Sequence, residues 1–236
     1  MIVLRDIRKV YPTRTGVAEV LRGVDLKVGM GEKLGILGRN GSGKSTLIRL
    51  ISGAERPSSG DIVRSMTVSW PLAFAGGFQG SLTGLDNLKF ICRLYGVSAR
   101  DRLGFVEEFT ELGKYLREPI KHYSSGMRAR LAFAISMAIE FDCFLVDEVI
   151  AVGDSRFHEK CRRELFERRS DRALVLVSHD SRLIMEHCSR AVVLEQGLLH
   201  SFSDLEQAFE SYETDSVLAD VPNTSANPPH IPRPMS

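Results

Sequence analysis

A glycine-rich stretch near the N-terminus has the residue types and the spacing of a phosphate-binding loop. Gly38 is followed, after four residues, by Gly43, Lys44 and Ser45, which matches the pattern G-x-x-x-x-G-K-[ST]. The apolar run KLGIL before the loop predicts a buried strand, and STLIRLIS after it predicts a helix, so the pattern lies in the context that it requires. This context disfavours the alternative, a loop rich in glycine and serine that binds no ligand.

The chemistry of such a loop comes mainly from its backbone. Glycines allow consecutive N–H groups to curl around phosphate oxygens, and the following helix directs its partially positive end at the same anion. Lys44 adds a full charge at the β- and γ-phosphates, and the Ser45 hydroxyl is suited to bind Mg²⁺, so we expect ATP and Mg²⁺ here. The predicted cradle consists of Gly38, Arg39, Asn40, Gly41, Ser42, Gly43, Lys44, Ser45 and Thr46.

Two acidic residues, Asp147 and Glu148, end the apolar run FDCFLV. Because neighbouring residues of a strand face opposite ways, the two carboxylates can serve different tasks. We predict that Asp147 holds Mg²⁺ and that Glu148 lies near the γ-phosphate as general base or polariser of the attacking water. A kinase needs its base beside a substrate hydroxyl, so this arrangement favours hydrolysis. The alternative is that both acids cap the next helix.

A histidine, His179, follows the apolar run ALVLVS. In open α/β sheets ligands bind beyond the carboxyl ends of the strands, so we expect His179 to face the same cleft as Asp147. Its predicted role is to bind the γ-phosphate and to hold the geometry of the water. A purely structural histidine near a strand end is the alternative.

The surrounding pattern predicts the elements that position these residues. Apolar and polar residues alternate over the first thirty positions, which predicts antiparallel strands, whereas the later apolar runs predict parallel strands covered on both faces. The segment 82–140 reads as a helical insertion. We therefore predict an α/β fold: a P-loop NTPase core with a mainly parallel central sheet, an N-terminal antiparallel β subdomain and an inserted α-helical subdomain. Residues 1–214 would form this domain, and 215–236, with five of the nine prolines, a flexible tail.

The composition limits the class of protein to which the chain can belong. Its 31 basic and 30 acidic residues nearly cancel, so we expect no nucleic-acid partner. No apolar stretch reaches the ~18 to 20 residues of a membrane span, which predicts a soluble chain. The cysteines lack a CxxC pair and indicate a reducing compartment. They are Cys92, Cys143, Cys161 and Cys188.

The segment KHYSSGMRARLAFA, residues 121–134, carries no nucleophile and no acid-base pair. Ser124 and Ser125 are suited to cap a helix, and Gly126 allows close approach of the backbone. We predict that the helix from Met127 buries one apolar stripe and presents its N-terminus to an anion. The alternative is an ordinary helix cap. The stripe consists of Leu131, Ala134, Ile135 and Ala138.

The order of these motifs, over about residues 1 to 212, resembles the ATP-binding subunit of an ABC transporter. This resemblance implies that two copies pack head to tail and enclose two ATP molecules. The segment from Ser124 through Ser125 and Gly126 to Met127 would then contact ATP held by the Lys44 of a second copy.

The roles of four further residues are carried over from the same family resemblance. Tyr11 is similar to the aromatic residue that stacks on adenine. Gly153 and Asp154 match the loop that touches the other subunit. Gln79 matches the glutamine that senses Mg²⁺ and the membrane partner.

Within the family, the stretches GGFQGSLTGLDNLKF, SSGMRARLAFA and DEVIAVGDSRF are most similar to ATPases that export capsular polysaccharide. The implied partners are an integral membrane permease and, through it, periplasmic and outer-membrane export components. The implied location is the cytoplasmic face of the bacterial inner membrane. Three alternatives stay open: an O-antigen or teichoic acid exporter, a soluble ABC-type ATPase acting on nucleic acid or ribosomes, and a small-molecule kinase.

Overall fold

The phosphate loop is close to both β-sheets, with Gly43 next to Val20 of the smaller sheet and Gly38 next to Leu194 of the larger one. The computed structural model describes residues 1–72, 77–147, 154–178 and 181–219. In these residues one sheet has three strands and the other has six, with helices placed along the chain between the strands. The predicted fold class is confirmed, because the small sheet is antiparallel and the large sheet is mainly parallel.

The smaller sheet contains the N-terminal strands. Its order is β2-β1-β4, with β1 at Ile2–Thr13, β2 at Gly16–Val28 and β4 at Ser59–Arg64. From Val24 to the end of β2, buried and exposed residues alternate strictly. This alternation follows from the pleat, which turns successive side chains to opposite faces of a sheet.

The larger sheet carries the strands that lead into the site. Neighbouring strands run parallel except for the last pair, which is antiparallel. The strands of KLGIL, CFLVD and ALVLV are almost wholly buried, as expected for strands covered on both faces. In spatial order they are β5 (Val68–Pro71), β6 (Cys143–Asp147), β7 (Ala173–Val177), β3 (Lys33–Leu37), β8 (Arg190–Glu195) and β9 (Leu198–Ser201).

The central sheet separates two hydrophobic cores. In β7, Val175 and Val177 join the core shared with the small sheet, whereas Leu174 and Leu176 join the core beneath the inserted helices. Each buried side chain of this size contributes about 1.5–3 kcal/mol of burial free energy. The strand is therefore held from both sides, and its carboxyl end is a rigid support.

Helices connect the strands and form the insertion. A π-helical turn at Arg163–Glu167 continues α5, and 3₁₀ turns lie at Gly113–Arg117 and Ile120–His122. In the described part of the chain between β5 and β6 there are three α-helices, as the fold class predicts. The helices are α1 (Lys44–Ser52), α2 (Gly84–Leu94), α3 (Ala99–Thr110), α4 (Ser125–Ile139), α5 (Ser155–Arg162), α6 (Ser181–His187) and α7 (Leu205–Ala219).

Helix α4 differs from the predicted single apolar stripe. The four stripe residues are buried, but so is every residue from Leu131 to Ile139, including Ser136. The prediction of one stripe is wrong because α4 packs against α2, α3 and the central core at once, and a helix enclosed in this way is apolar on all sides. Ser136 is accommodated since its hydroxyl donates to the Ala132 carbonyl at 2.8 Å.

The last helix runs through the predicted end of the domain. Helix α7 extends to Ala219, beyond the boundary predicted at residue 214. Ala208 and Phe209 of this helix are buried in the larger core, and Tyr212 packs against it. These apolar contacts hold the first turns of the helix on the core.

Candidate nucleotide-binding site

The phosphate loop joins β3 to α1 with a backbone that depends on glycine. Gly41 has φ of 84° and Gly43 has φ of 109°, both in the region that side chains disfavour. A Cβ added at Gly38 would lie 2.5 Å from the Leu194 carbonyl oxygen and 2.7 Å from Ser42 Oγ. Gly43 is the N-cap of α1 and supplies no side-chain cap, so the first amides of the helix are left for a ligand.

Lys44 crosses the loop from the first turn of α1. Its side chain is buried, and Nζ donates to the carbonyl oxygens of Gly38 at 2.7 Å and of Arg39 at 3.0 Å. Ser42 Oγ is buried and has no hydrogen-bond partner among the described residues. A buried cation, an unsatisfied hydroxyl and uncapped amides together fit the phosphate groups of a nucleotide.

The loop lines an open cavity of about 500 Å³. Sequence reasoning missed Val20 in its lining, because Val20 lies in β2, far from the loop in the chain. Lys9 pairs with Leu21 while the next residue, Val10, pairs with Glu19, so Val20 is the extra residue of a β-bulge. No residue pattern in β2 signals this bulge. The lining consists of Val20, Asn40, Gly41, Gly43, Lys44, Ser45 and Thr46.

Asp147 lies at the carboxyl end of β6, on the same edge of the sheet as the phosphate loop. Asp147 is half-buried, and it is in register with Val177, the last residue of β7. Strand β7 in turn pairs with β3, which leads into the phosphate loop. Parallel strands end at one edge, so the structure brings Asp147 and the loop to the same edge. Glu148 and His179, which are predicted for the same edge, lie outside the described residues. Gly153, which is predicted to contact the other subunit, also lies outside them.

Tyr11 lies on β1 and is tied to α1. Its hydroxyl donates to Glu55 Oε2 at 2.6 Å, and Arg49 Nη2 lies 3.5 Å from the same hydroxyl. The hydrogen bond from Tyr11 holds the pKa of Glu55 below its ordinary value, with smaller contributions from Arg49 and Lys9. Tyr11 therefore has a fixed position next to the helix that follows the phosphate loop.

Gln79 is anchored through its backbone. Its N–H donates to Asn87 Oδ1 at 3.0 Å, and Asn87 Nδ2 donates to the Gln79 carbonyl at 3.3 Å. Asn87 is buried in α2, whereas the Gln79 side chain is exposed. The structure thus explains how the loop before α2 is held, and a metal contact of Gln79 stays a prediction.

The serine pair opens α4 at the protein surface. Ser124 is the N-cap and its Oγ accepts from the Met127 N–H at 3.2 Å, whereas Ser125 is the first helical residue. Both serines are exposed. A Cβ at Gly126 would meet only Ser124 Oγ, at 3.9 Å, so this turn has open space around it. The helix start is thus accessible to a partner, as the prediction of a second copy requires.

Asp154 connects α5 to α4 within one chain. It is the N-cap of α5, where Oδ1 accepts from the Phe157 N–H at 2.9 Å, and Oδ2 accepts from Arg130 Nη2 at 2.8 Å. The Phe157 amide, with Arg130 as a further contributor, holds the Asp154 pKa below its ordinary value. Arg130 also covers the Phe157 ring at 4.6 Å. A contact of Asp154 with another subunit stays a prediction.

A second cavity, of about 440 Å³, lies between α3 and α5 and does not have the chemistry of a phosphate site. It is lined by acidic and basic side chains that pair with each other. Lys160 lies 3.1 Å from Glu111, and Arg168 lies 3.2 Å from Glu164. These charges neutralise one another locally, so the phosphate loop remains the candidate site.

The fold and this loop define an α/β nucleotide-binding protein. A model of the ABC transporter family matches residues 21–151. The chain belongs to the ABC transporter family, and the predicted family and the predicted ATPase class are thereby confirmed. No helix in the described ranges is both long and apolar enough to cross a membrane.

The chain is also similar to individual proteins, both in sequence and in fold. The capsule polysaccharide export ATP-binding protein CtrD of Neisseria meningitidis serogroup B is 58% identical over 91% of this chain and 99% of its own length. The ATP-binding protein BexA of Haemophilus influenzae is 59% identical over 90% of this chain and 98% of its own length. The dimeric, post-hydrolysis ATP-binding cassette MJ0796 bound to ADP and Pi is similar in fold, with a TM-score of 0.71 over 87% of this chain and 99% of its own, at 23% identity.

Proposed function

We propose that this chain is the ATP-hydrolysing subunit of an ABC transporter that exports capsular polysaccharide. The observation that carries the proposal is the 58% identity to CtrD, a capsule polysaccharide export ATP-binding protein, over nearly the full length of both chains. An O-antigen or teichoic acid exporter is the alternative within the family. It has less support, since the teichoic acid export ATP-binding protein TagH of Staphylococcus haemolyticus is 38% identical over 78% of this chain, against 58% over 91% for CtrD.

The nucleotide is held by the chain in two places. The uncapped amides of α1, Ser42 Oγ and Lys44 bind the phosphates, and Tyr11 stacks on the adenine. Ser45, Asp147 and Gln79 hold Mg²⁺, which when bound neutralises charge that develops on the phosphates. Glu148 activates the attacking water and His179 orients it.

A second copy of the chain completes each site in this proposal. The exposed helix start at Ser124 and Ser125 meets the phosphates bound to the partner copy, and the open space around Gly126 supports this approach. Gly153 and Asp154 lie at the same interface. The dimer binds an integral membrane permease at the cytoplasmic face of the inner membrane, through which periplasmic and outer-membrane export components are reached. Nucleic acid is not a partner.

The test is reconstitution with the membrane permease that co-purifies with this chain. Vesicles containing both proteins should hydrolyse ATP and move capsular polysaccharide, and vesicles with the Lys44→Ala chain should do neither. Hydrolysis coupled to movement of teichoic acid or O-antigen in place of capsular polysaccharide would refute the proposed substrate. An absence of ATP hydrolysis by the wild-type complex would refute the proposed activity.

A further inference from the structure

Glu55, just beyond the C-terminal end of α1, is the centre of a network that holds Tyr11. It accepts a hydrogen bond from the Tyr11 hydroxyl at 2.6 Å and one from Arg49 Nε at 2.9 Å. Lys9 Nζ lies 3.5 Å from the same carboxylate. The Glu55 side chain is only 28% exposed, so its charge is partly shielded from water by these three partners.

Lys9 restrains the Tyr11 ring a second time. Its ammonium lies over the ring at 4.9 Å from the centroid, and it also donates to the Arg56 carbonyl at 2.9 Å. One face of the ring thus lies under a cation, while the hydroxyl is held by Glu55. A tyrosine side chain has two torsions, and these contacts restrict both of them.

Arg49 extends the network to the phosphate loop. Its Nη2 donates to Thr46 Oγ1 at 3.2 Å, and Thr46 lines the cavity of the candidate site. The chain of contacts Tyr11, Glu55, Arg49 and Thr46 therefore joins the ring to the phosphate end of the site. The two ends of a bound nucleotide would be held at a fixed separation by this chain.

We propose that Glu55 is a positioning residue for nucleotide binding: it orders the Tyr11 ring, relative to the phosphate cradle, as a stacking surface for a purine base. This inference rests on the proposed function, in which Tyr11 stacks on adenine. A ring that is already ordered loses less conformational entropy when the base binds, so the network raises affinity for the base without touching it. The competing explanation is an ion cluster that only supports the fold.

The experiment measures binding by calorimetry on the full chain, with ATP, ADP and inorganic tripolyphosphate as probes in the presence of Mg²⁺. Glu55→Ala should weaken ATP and ADP binding about threefold to tenfold, as expected when one additional side chain must be ordered on binding. Tripolyphosphate has no base, so its affinity should stay within about twofold. Glu55→Gln keeps an acceptor for the Tyr11 hydroxyl and should fall between wild type and Glu55→Ala. Glu107→Ala, an exposed glutamate on α3, is the matched control and should bind as wild type.

A double-mutant cycle separates positioning from a structural role. In a Tyr11→Phe background the hydroxyl is gone, so adding Glu55→Ala should change ATP affinity by less than about twofold. Equal losses for ATP and tripolyphosphate, or an unchanged ATP affinity in Glu55→Ala, would overturn the inference and leave the proposed function intact. A wild-type chain that does not bind ATP would overturn the proposed function and the inference with it.

Discussion

Gly35 in β3 allows α6 to pack directly on the central sheet, and replacing it with alanine should push this helix away. A Cβ at Gly35 would lie well inside the contact distance of Ile184 Cγ2, and 3.4 Å from both Cβ and Cδ1 of the same side chain. Ile184 is fully buried and belongs to the larger core. To restore ordinary contact, Ile184 must retreat by roughly 1 Å.

The magnitude follows from this geometry. Overpacking of this kind lowers the free energy of unfolding by about 1–3 kcal/mol. Ile184→Ala, which leaves a cavity, should cost about 2–5 kcal/mol. In the double variant the new methyl group occupies space that Ile184 has vacated. The double variant should therefore be more stable than the sum of the two single effects predicts, by about 1–2 kcal/mol.

The assay is equilibrium unfolding in urea, with ATP turnover as a second readout. Gly104→Ala is the matched control, because Gly104 lies in α3 with no heavy atom within 4 Å of an added Cβ, and it should raise stability by about 0.5–1 kcal/mol. Since α6 starts at Ser181, directly after the segment with His179, Gly35→Ala should reduce hydrolysis more than ATP binding. Additivity of Gly35→Ala and Ile184→Ala within about 0.5 kcal/mol would refute the reasoning.

Three further predictions concern the site and the thiols. Lys44→Ala should weaken ATP binding by about two orders of magnitude, because two charge-assisted contacts to phosphate are lost. Calorimetry on the variant and the wild type measures this, and equal affinities would show that the phosphates do not bind at this loop. Glu148→Gln should bind ATP but stall hydrolysis and accumulate a nucleotide-bound dimer, visible by size-exclusion chromatography, and normal turnover with the permease would contradict its role as base. A thiol reagent at pH 8 should label the native chain slowly and the urea-unfolded chain rapidly. The reason is that burial raises three cysteine pKa values to about 12 and leaves these thiols protonated. Fast labelling of the native chain would contradict the burial of these thiols. The three are Cys143, Cys161 and Cys188.

The chemistry of the phosphate loop was predictable because it is local. The spacing from Gly38 to Ser45 reflects the backbone conformation of one short segment, and the φ values of Gly41 and Gly43 show why glycine is needed there. The order of strands and helices was predictable for a similar reason, since the period of the apolar residues reports the local conformation. The serine cap of α4 also follows from local sequence preference, as Ser124 demonstrates.

The surroundings of α4 and α7 were less predictable. The sequence pattern does not say how many neighbours enclose a helix, so it predicts one apolar stripe where the structure buries every residue from Leu131 to Ile139. Likewise, the first turns of α7 pack through Ala208 and Phe209 on a core built from distant segments. Local propensity is a weak guide wherever tertiary packing decides the outcome.

The amino-acid sequence by itself determined that this chain has the loop of a nucleotide-binding protein and the motifs of the ABC transporter family. Only the tertiary structure decided which distant residues surround that loop. Tyr11 and Glu55 are 44 positions apart, and Val20 reaches the cavity only because of a bulge in the pairing of β1 with β2. The physical reason is that the conformation of a binding loop depends on the dihedral preferences of neighbouring residues. The residues that line the cavity around the loop depend instead on strand register and side-chain packing across the whole chain.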